Sequence, residues 1–257
     1  MSIIWNPWHG CRKLSEGCRH CYVYRQDERF AADSREVRRT ASFDLPVRRS
    51  RSGRFRIPGG ERVYTCFTSD FLVEEADAWR REAWEMMRLR HDLRFVFFTK
   101  RIGRLADALP PDWGEGYENV AVGCTVENQE AADSRLPQLL AAPVRHKLII
   151  CAPLLGPLHL EDYLPHSIEE LSVGRESGPE ARTCDFDWVL GIRDQCIRAG
   201  VPFTFHQTGA RLLKEGRLYR IPRARQHEQA HRAGIDYPAK GTTPETEKAR
   251  KGDSGLK

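Results

Sequence analysis

Three cysteines fall within eleven residues near the amino terminus, as Cys11-x6-Cys18-x2-Cys21. Thiolates hold zinc and iron–sulfur clusters, so this stretch is the one best equipped for metal chemistry. A closed structural zinc site takes four protein ligands, and a ferredoxin-type cluster takes four cysteines. Three leave one coordination position open, and an open position is where substrate or cofactor binds. Gly10 and Gly17 stand beside Cys11 and Cys18, where they let the backbone turn tightly. Two other readings stand alongside: a zinc ion completed by His9 or His20, and three unliganded cysteines, which the clustering disfavours. Cys66, Cys124, Cys151, Cys184 and Cys196 are scattered singly and read as small buried hydrophobes.

Such a loop needs a scaffold, and the rest of the chain supplies a rhythm. Short β-branched and aromatic runs begin at Ser2, Val63, Leu93, Val120, Lys147, Ile168 and Val201. Helical patterns lie between them, the strongest over about Glu74 to Arg90 and Asp187 to Ala199. Alternation of this kind predicts βα units and a parallel sheet. The strands read as continuously apolar, which predicts burial on both faces. The expected fold class is α/β, an incomplete (β/α) TIM-like barrel of about six to seven parallel strands. A doubly wound sheet is the rival, since strand order cannot be read from one sequence.

Polar residues follow the strands: Thr68, Ser69 and Asp70; Lys100 and Arg101; Thr125, Glu127 and Asn128; Glu176 and Ser177; His206 and Gln207. The carboxyl ends of parallel strands form the active face of such folds. Thr68, Ser69 and Asp70 can equally cap the helix behind them.

The chain has 257 residues, 40% apolar and 30% charged, with a net charge of +5. No apolar run approaches the ~18–20 residues that a membrane span needs. The opening residues lack a basic region followed by an apolar one, which argues against a secretory signal. A reduced, cytoplasmic setting is therefore expected, with disulfides absent. Residues 46–62 hold Arg48, Arg49, Arg51, Arg54, Arg56 and Arg62 against Glu61 alone, and Gly and Pro mark them as a loop or hairpin. Residues 1–237 read as one domain, and the polar tail 238–257 as disordered.

Trp5-Asn6-Pro7-Trp8-His9-Gly10-Cys11 and Gly17-Cys18-Arg19-His20-Cys21-Tyr22 together resemble the opening of the phage Gp37/Gp68 family, a radical-SAM-like group with a three-cysteine motif. The resemblance runs on through Thr65–Phe71, Phe98–Arg101, Gly123–Asn128, Gly174–Gly178 and His206–Gly209, so it covers about residues 3–237. It implies a barrel of the radical-SAM type, with a [4Fe–4S] cluster on Cys11, Cys18 and Cys21. S-adenosylmethionine would chelate the fourth iron and be cleaved to a 5′-deoxyadenosyl radical that abstracts hydrogen from a substrate. A reductant such as flavodoxin or ferredoxin would supply the electron. Tyr22 matches the aromatic that follows the last ligand and lies near the adenine. Ser69 and Asp70 would meet the methionine amino group, Thr125, Glu127 or Asn128 the ribose, and Glu176 the cofactor or substrate.

The chain departs from that pattern twice. The common spacing is Cys-x3-Cys-x2-Cys, whereas six residues separate Cys11 from Cys18 here. Arg175 stands where the group has the second glycine of a Gly-Gly-Glu-Ser-Gly-like block, which adds a guanidinium there. The arginine-rich 48–56 segment, with Phe55 for stacking, suits a nucleic acid or nucleotide substrate; a solvated loop is the plainer reading. Loose similarity to the spore photoproduct lyase branch would make Cys124 or Cys151 a hydrogen donor, against ordinary core burial. A non-enzymatic, zinc-stabilised nucleic-acid-binding protein is the alternative from another class.

Overall fold

A computed structural model describes residues 3–238. Residues 239–257, the bulk of the tail expected to be disordered, lie outside the described residues.

Seven strands form one sheet: β1 (Ile3–Trp5), β2 (Arg62–Thr65), β3 (Arg94–Thr99), β4 (Val120–Thr125), β5 (His146–Cys151), β6 (Ile168–Val173) and β7 (Phe203–Phe205). Each pairs in parallel with the next in sequence, from β1 through β7. A doubly wound sheet would reverse its order at a switch point; this one never does. Right-handed crossovers that always advance in one direction put every helix on one face and curl the sheet into a half-barrel. Among the described residues β1 and β7 do not pair with each other, so the barrel stays open.

Helix α1 (Tyr22–Glu28) follows β1, α2 (Asp77–Leu89) follows β2, and the short α3 (Leu105–Ala108) follows β3. Helix α4 (Gln129–Ala141) follows β4 and α5 (Phe186–Ala199) follows β6. The expected rhythm breaks once. Residues 152–167, between β5 and β6, contain no helix; buried Leu154, Leu158, Leu160 and Leu164 fill the space a helix would take.

The convex face is the core. Trp5, Val63, Phe95, Phe97, Val122, Ile149, Cys151, Leu171, Val173 and Phe203 are all buried there with the helices. Of the residues between them, Tyr64, Phe98, Ala121, Leu148, Ile150, Ser172 and Thr204 are only half-buried, while Val96 and Gly123 are buried. Ile4 is 52% exposed beside fully buried Trp5. The expectation of burial on both faces is thus corrected: a closed barrel would fill this interior with side chains, and the missing strands leave it open. A cavity of about 730 Å³ lies at the amino-terminal end of the concave face, lined by residues that include Arg62, Arg94, Ala121, His146 and Leu148.

The arginine-rich segment forms a small hairpin bridged at Arg49 and Phe55. The guanidinium of Arg90, fully buried, lies 4.1 Å from the Phe55 ring and donates to the Ile57 carbonyl at 2.8 Å. Gly60 N–H bonds the Asp92 carbonyl, just before β3. The hairpin therefore sits at the amino-terminal ends of the strands, opposite the face where the cysteines lie.

Candidate functional site

The cysteine loop crosses the carboxyl ends of the sheet. Gly10 N–H bonds the Thr68 carbonyl at 3.1 Å and Cys11 N–H the Ser34 carbonyl at 2.7 Å. The Ser69 hydroxyl donates to the Gly10 carbonyl. Arg101, after β3, donates to the Arg12 carbonyl at 2.7 Å and lies 3.7 Å from Cys11 Sγ. Arg182 grips Glu16 through its carbonyl at 3.1 Å and its carboxylate at 2.8 Å. The ends of β2 and β3, with the loops that carry Ser34 and Arg182, thus hold the cysteine loop through protein groups.

The glycines have different reasons. Gly10 has φ +94°, and a Cβ there would lie 2.4 Å from the Glu36 carbonyl oxygen. Gly17 has no such backbone demand. Its place is a packing one: a Cβ would press on the Glu127 side chain at 3.0–3.2 Å.

All three thiols are free and half-buried. Cys18 ends a single 3-10 turn, and Cys21 directly precedes α1. Burial opposes ionisation of Cys18, but Lys100, the backbone at Leu14 and Ser15, and the Ser15 hydroxyl outweigh it and lower its pKa. Burial, aided by Asp70, pushes Cys11 up to about 11, with Arg101 opposing. Lys100, half-buried after β3, has a charge that reaches Cys18, Cys124 and Glu127, yet its ammonium has no carboxylate partner among the described residues.

Among the described residues no three His, Cys, Asp or Glu side chains group as a single-ion site. The two histidines that could complete a zinc site are engaged elsewhere. His9 Nε2 is 2.8 Å from Asp27, and His20 Nδ1 is 3.2 Å from Glu180. A cluster makes a different demand, because it spreads its thiolates over several irons. Three thiols in one clamped loop, with Lys100 and Arg101 beside them, fit that donor set.

The other expected site residues divide. Asp70 is buried and saturated: it accepts from Leu72 N–H, the Thr99 hydroxyl at 2.7 Å, Lys100 N–H at 3.0 Å and Arg101 at 3.3 Å. Glu127 is 1% exposed and takes Arg135 from α4 on both oxygens, at 2.8 and 3.3 Å. Glu176 is similarly held by Arg182, through the backbone at 2.8 Å and the guanidinium. Burial opposes both glutamates, yet the arginines bring both pKa values below the usual carboxylate range. Asn128 caps α4, accepting from Ala131 N–H at 2.9 Å. Thr125 is buried, its carbonyl bonded by Arg135 at 2.7 Å. Tyr22 is exposed, and its hydroxyl donates to the Phe67 carbonyl at the end of β2.

Most strand-end polar groups therefore build the clamp or cap helices. Their partners Arg135, Arg182 and Ser15 carry no motif and were not visible as site residues. Cys124 and Cys151 are not brought to the loop. Both sulfurs belong to the convex core, fully buried among apolar side chains.

Arg175 is the anomaly. It is 4% exposed, and its guanidinium nitrogens have no oxygen or nitrogen partner among the described residues; only the Cys184 thiol and the Trp188 ring, 6.0 Å away, face it. Burial lowers its pKa, with Cys184 and Glu176 opposing. A buried charge with no carboxylate partner is costly, so Arg175→Met should raise stability by about 1–4 kcal/mol. A thermal melt checks this, and a lower melting temperature would show that the guanidinium has a stabilising partner.

No helix among the described residues is long and apolar enough to cross a membrane. Neither the curated proteins nor the solved structures contain a match to this chain. One protein family matches nearly its whole length, residues 1–252, so the chain belongs to the family described as protein of unknown function (DUF5131).

Proposed function

We propose that the chain is a radical-SAM enzyme whose cluster is held by Cys11, Cys18 and Cys21. The observation that carries this reading is the three-thiol loop clamped across the carboxyl ends of an open (β/α) sheet. A binding module has no need of polar groups converging on one loop from the ends of β2 and β3 and from neighbouring loops. The similarity to the phage Gp37/Gp68 group points the same way.

When bound, the cluster supplies the electron that splits the sulfonium of S-adenosylmethionine. The chain's own residues do the rest. Lys100 and Arg101 balance the negative charge of the thiolates and set the potential around them. Asp70 fixes Arg101, and Glu127 fixes both Gly17 and Arg135. Tyr22, its hydroxyl tied to the end of β2, offers a ring face beside Cys21. The open concave face admits the substrate, and a nucleic acid or nucleotide is the class proposed. A small redox protein of the flavodoxin or ferredoxin kind is the proposed electron donor.

The test is metal and sulfide analysis of protein reconstituted without oxygen, followed by dithionite and S-adenosylmethionine. Near-equal iron and sulfide, with 5′-deoxyadenosine formed, are expected. Stoichiometric zinc with intact S-adenosylmethionine would overturn the reading and make this a metal-stabilised binding protein.

A further inference from the structure

Twelve cations stand in two short stretches. Residues 46–62 hold six against Glu61, and residues 211–225 hold Arg211, Lys214, Arg217, Arg220, Arg223 and Arg225 against Glu215. The surplus in these stretches is ten positive charges, whereas the whole chain carries +5. The remainder therefore sums to net acidic, so the chain's positive surplus is concentrated in these two stretches. The first lies at the far edge of the sheet from the cysteine loop. The second follows β7, on the face where the loop lies.

That second stretch is built as a two-stranded ribbon. Arg211–Lys214 runs antiparallel to Arg217–Arg220, which puts Arg211 opposite Arg220 and Lys214 opposite Arg217. Two of its four cross-strand pairs thus oppose like charges, an arrangement that destabilises a ribbon. Little in the fold relieves it. Lys214 is 3.8 Å from the exposed Glu215, and Arg211 reaches only the Pro179 carbonyl, at 3.2 Å. Arg217, Arg220, Arg223 and Arg225 have no carboxylate partner among the described residues. The outer strand is exposed along its length and presents Leu218 and Tyr219, 46% and 39% exposed. The Arg217 guanidinium lies 5.1 Å from the Tyr219 ring.

The inner strand pairs with Cys184 and Asp185, just past the Glu176 clamp. Beyond the ribbon, Arg223 stands close enough to Tyr22 and Arg25 for its charge to act on both. The cations therefore reach from the exposed ribbon to the start of α1, beside Cys21.

We propose that this ribbon is a binding surface for the phosphodiester backbone of a nucleic acid. Phosphates would separate the opposed cations, and release of their counterions would drive binding. An exposed tyrosine flanked by arginines offers a stacking face to an unpaired base. A two-stranded ribbon is also of the size that a duplex major groove admits. The inference takes its meaning from the proposed enzyme, which it supplies with a substrate class, but its test reads binding alone.

Fluorescence anisotropy of the full-length protein would use three probes of one sequence: single-stranded DNA, its duplex and single-stranded RNA. At least one should bind, and comparison of the three identifies the nucleic acid. Arg217→Gln with Arg220→Gln should weaken binding about tenfold or more at low salt and reduce the slope of log Kd against log salt by about 2. Arg223→Gln with Arg225→Gln should act in the same direction, covering the case in which the first pair does not fold. Arg51→Gln with Arg54→Gln, on the opposite hairpin, should leave Kd within about twofold. Circular dichroism checks that each variant is folded. Binding by none of the probes at low salt, folded ribbon variants that bind as tightly as the parent, or an equal loss in the 51/54 pair would each overturn the proposal. Deoxyadenosine formation without nucleic-acid binding would sink the ribbon alone, and binding without cluster uptake would sink the enzyme alone.

Discussion

Cys18→Ser yields a folded protein that takes up no cluster. Serine keeps the size of the side chain and gives up the soft donor, so ligation is lost while packing is kept. The loop does not rely on the thiol for its place. Cys18 N–H bonds the Ser15 carbonyl at 2.9 Å, and Gly10, Cys11 and Arg12 are tied to strand ends and neighbouring loops by their own backbone. Iron and sulfide should fall to background after reconstitution, and 5′-deoxyadenosine to the level of a blank. The melting temperature of the metal-free protein should move by no more than about 3 °C, the effect of roughly 1 kcal/mol in a chain of this size. Cys11→Ser and Cys21→Ser should behave alike. A Cys18→Ser protein that unfolds would mean that the metal builds the fold, as in small zinc domains. One that keeps full iron and sulfide would remove Cys18 from the ligand set.

Glu127→Ala should cost about 3–5 kcal/mol, the largest stability loss expected of any single change near the loop. The carboxylate is 1% exposed, and Arg135, its partner, is itself largely buried. Removing one member leaves the other's charge inside the protein without a counter-charge. The change also strips the surface on which Gly17 rests, so the cysteine loop should loosen and lose iron faster to a chelator. Glu127→Gln should keep the shape and lose mainly the charge, which separates the two effects. The pH dependence follows from the direction of the shift. The folded state holds Glu127 below its usual value of about 4.5, so its stabilisation is present above that value and lost as pH falls through the lower, folded one. Glu176 works in the same direction. Stability should therefore decline as the solution is acidified below about 4.5, and Glu127→Gln should flatten that decline. A parent and variant with parallel profiles would rule Glu127 out as the cause.

The strands were legible because their composition is unambiguous. Arg94-Phe95-Val96-Phe97-Phe98-Thr99 has no competing reading, and all seven strands lie within a residue or two of where β-branched and aromatic runs place them. The open barrel was legible in the number of runs, seven where a closed barrel has eight, but strand order was not, because pairing is a long-range property that leaves no local mark. Two-sided burial was misjudged for the same reason: Ile149 and Leu148 look alike to composition, and only the absence of closing strands exposes the second. At the site, the cysteines announced themselves by spacing. Asp70, Glu127 and Glu176 were visible as polar strand ends, but their work was not. That depends on Arg101, Arg135 and Arg182, and an arginine carries no spacing signal until the fold brings it to a carboxylate. The basic ribbon escaped notice because its cations are interleaved with Leu212, Leu213, Leu218 and Tyr219, which dilute it beside the denser 48–56 run.

The open concave face has a consequence for how a long molecule could be handled. A closed eight-stranded barrel receives only what fits through its mouth, so a polymer must present an end or a flipped-out unit. A half-barrel has a missing wall along the whole length of its strands, about 20 Å for six residues. A chain can be laid in sideways, engaged at an internal position and released without ever being threaded.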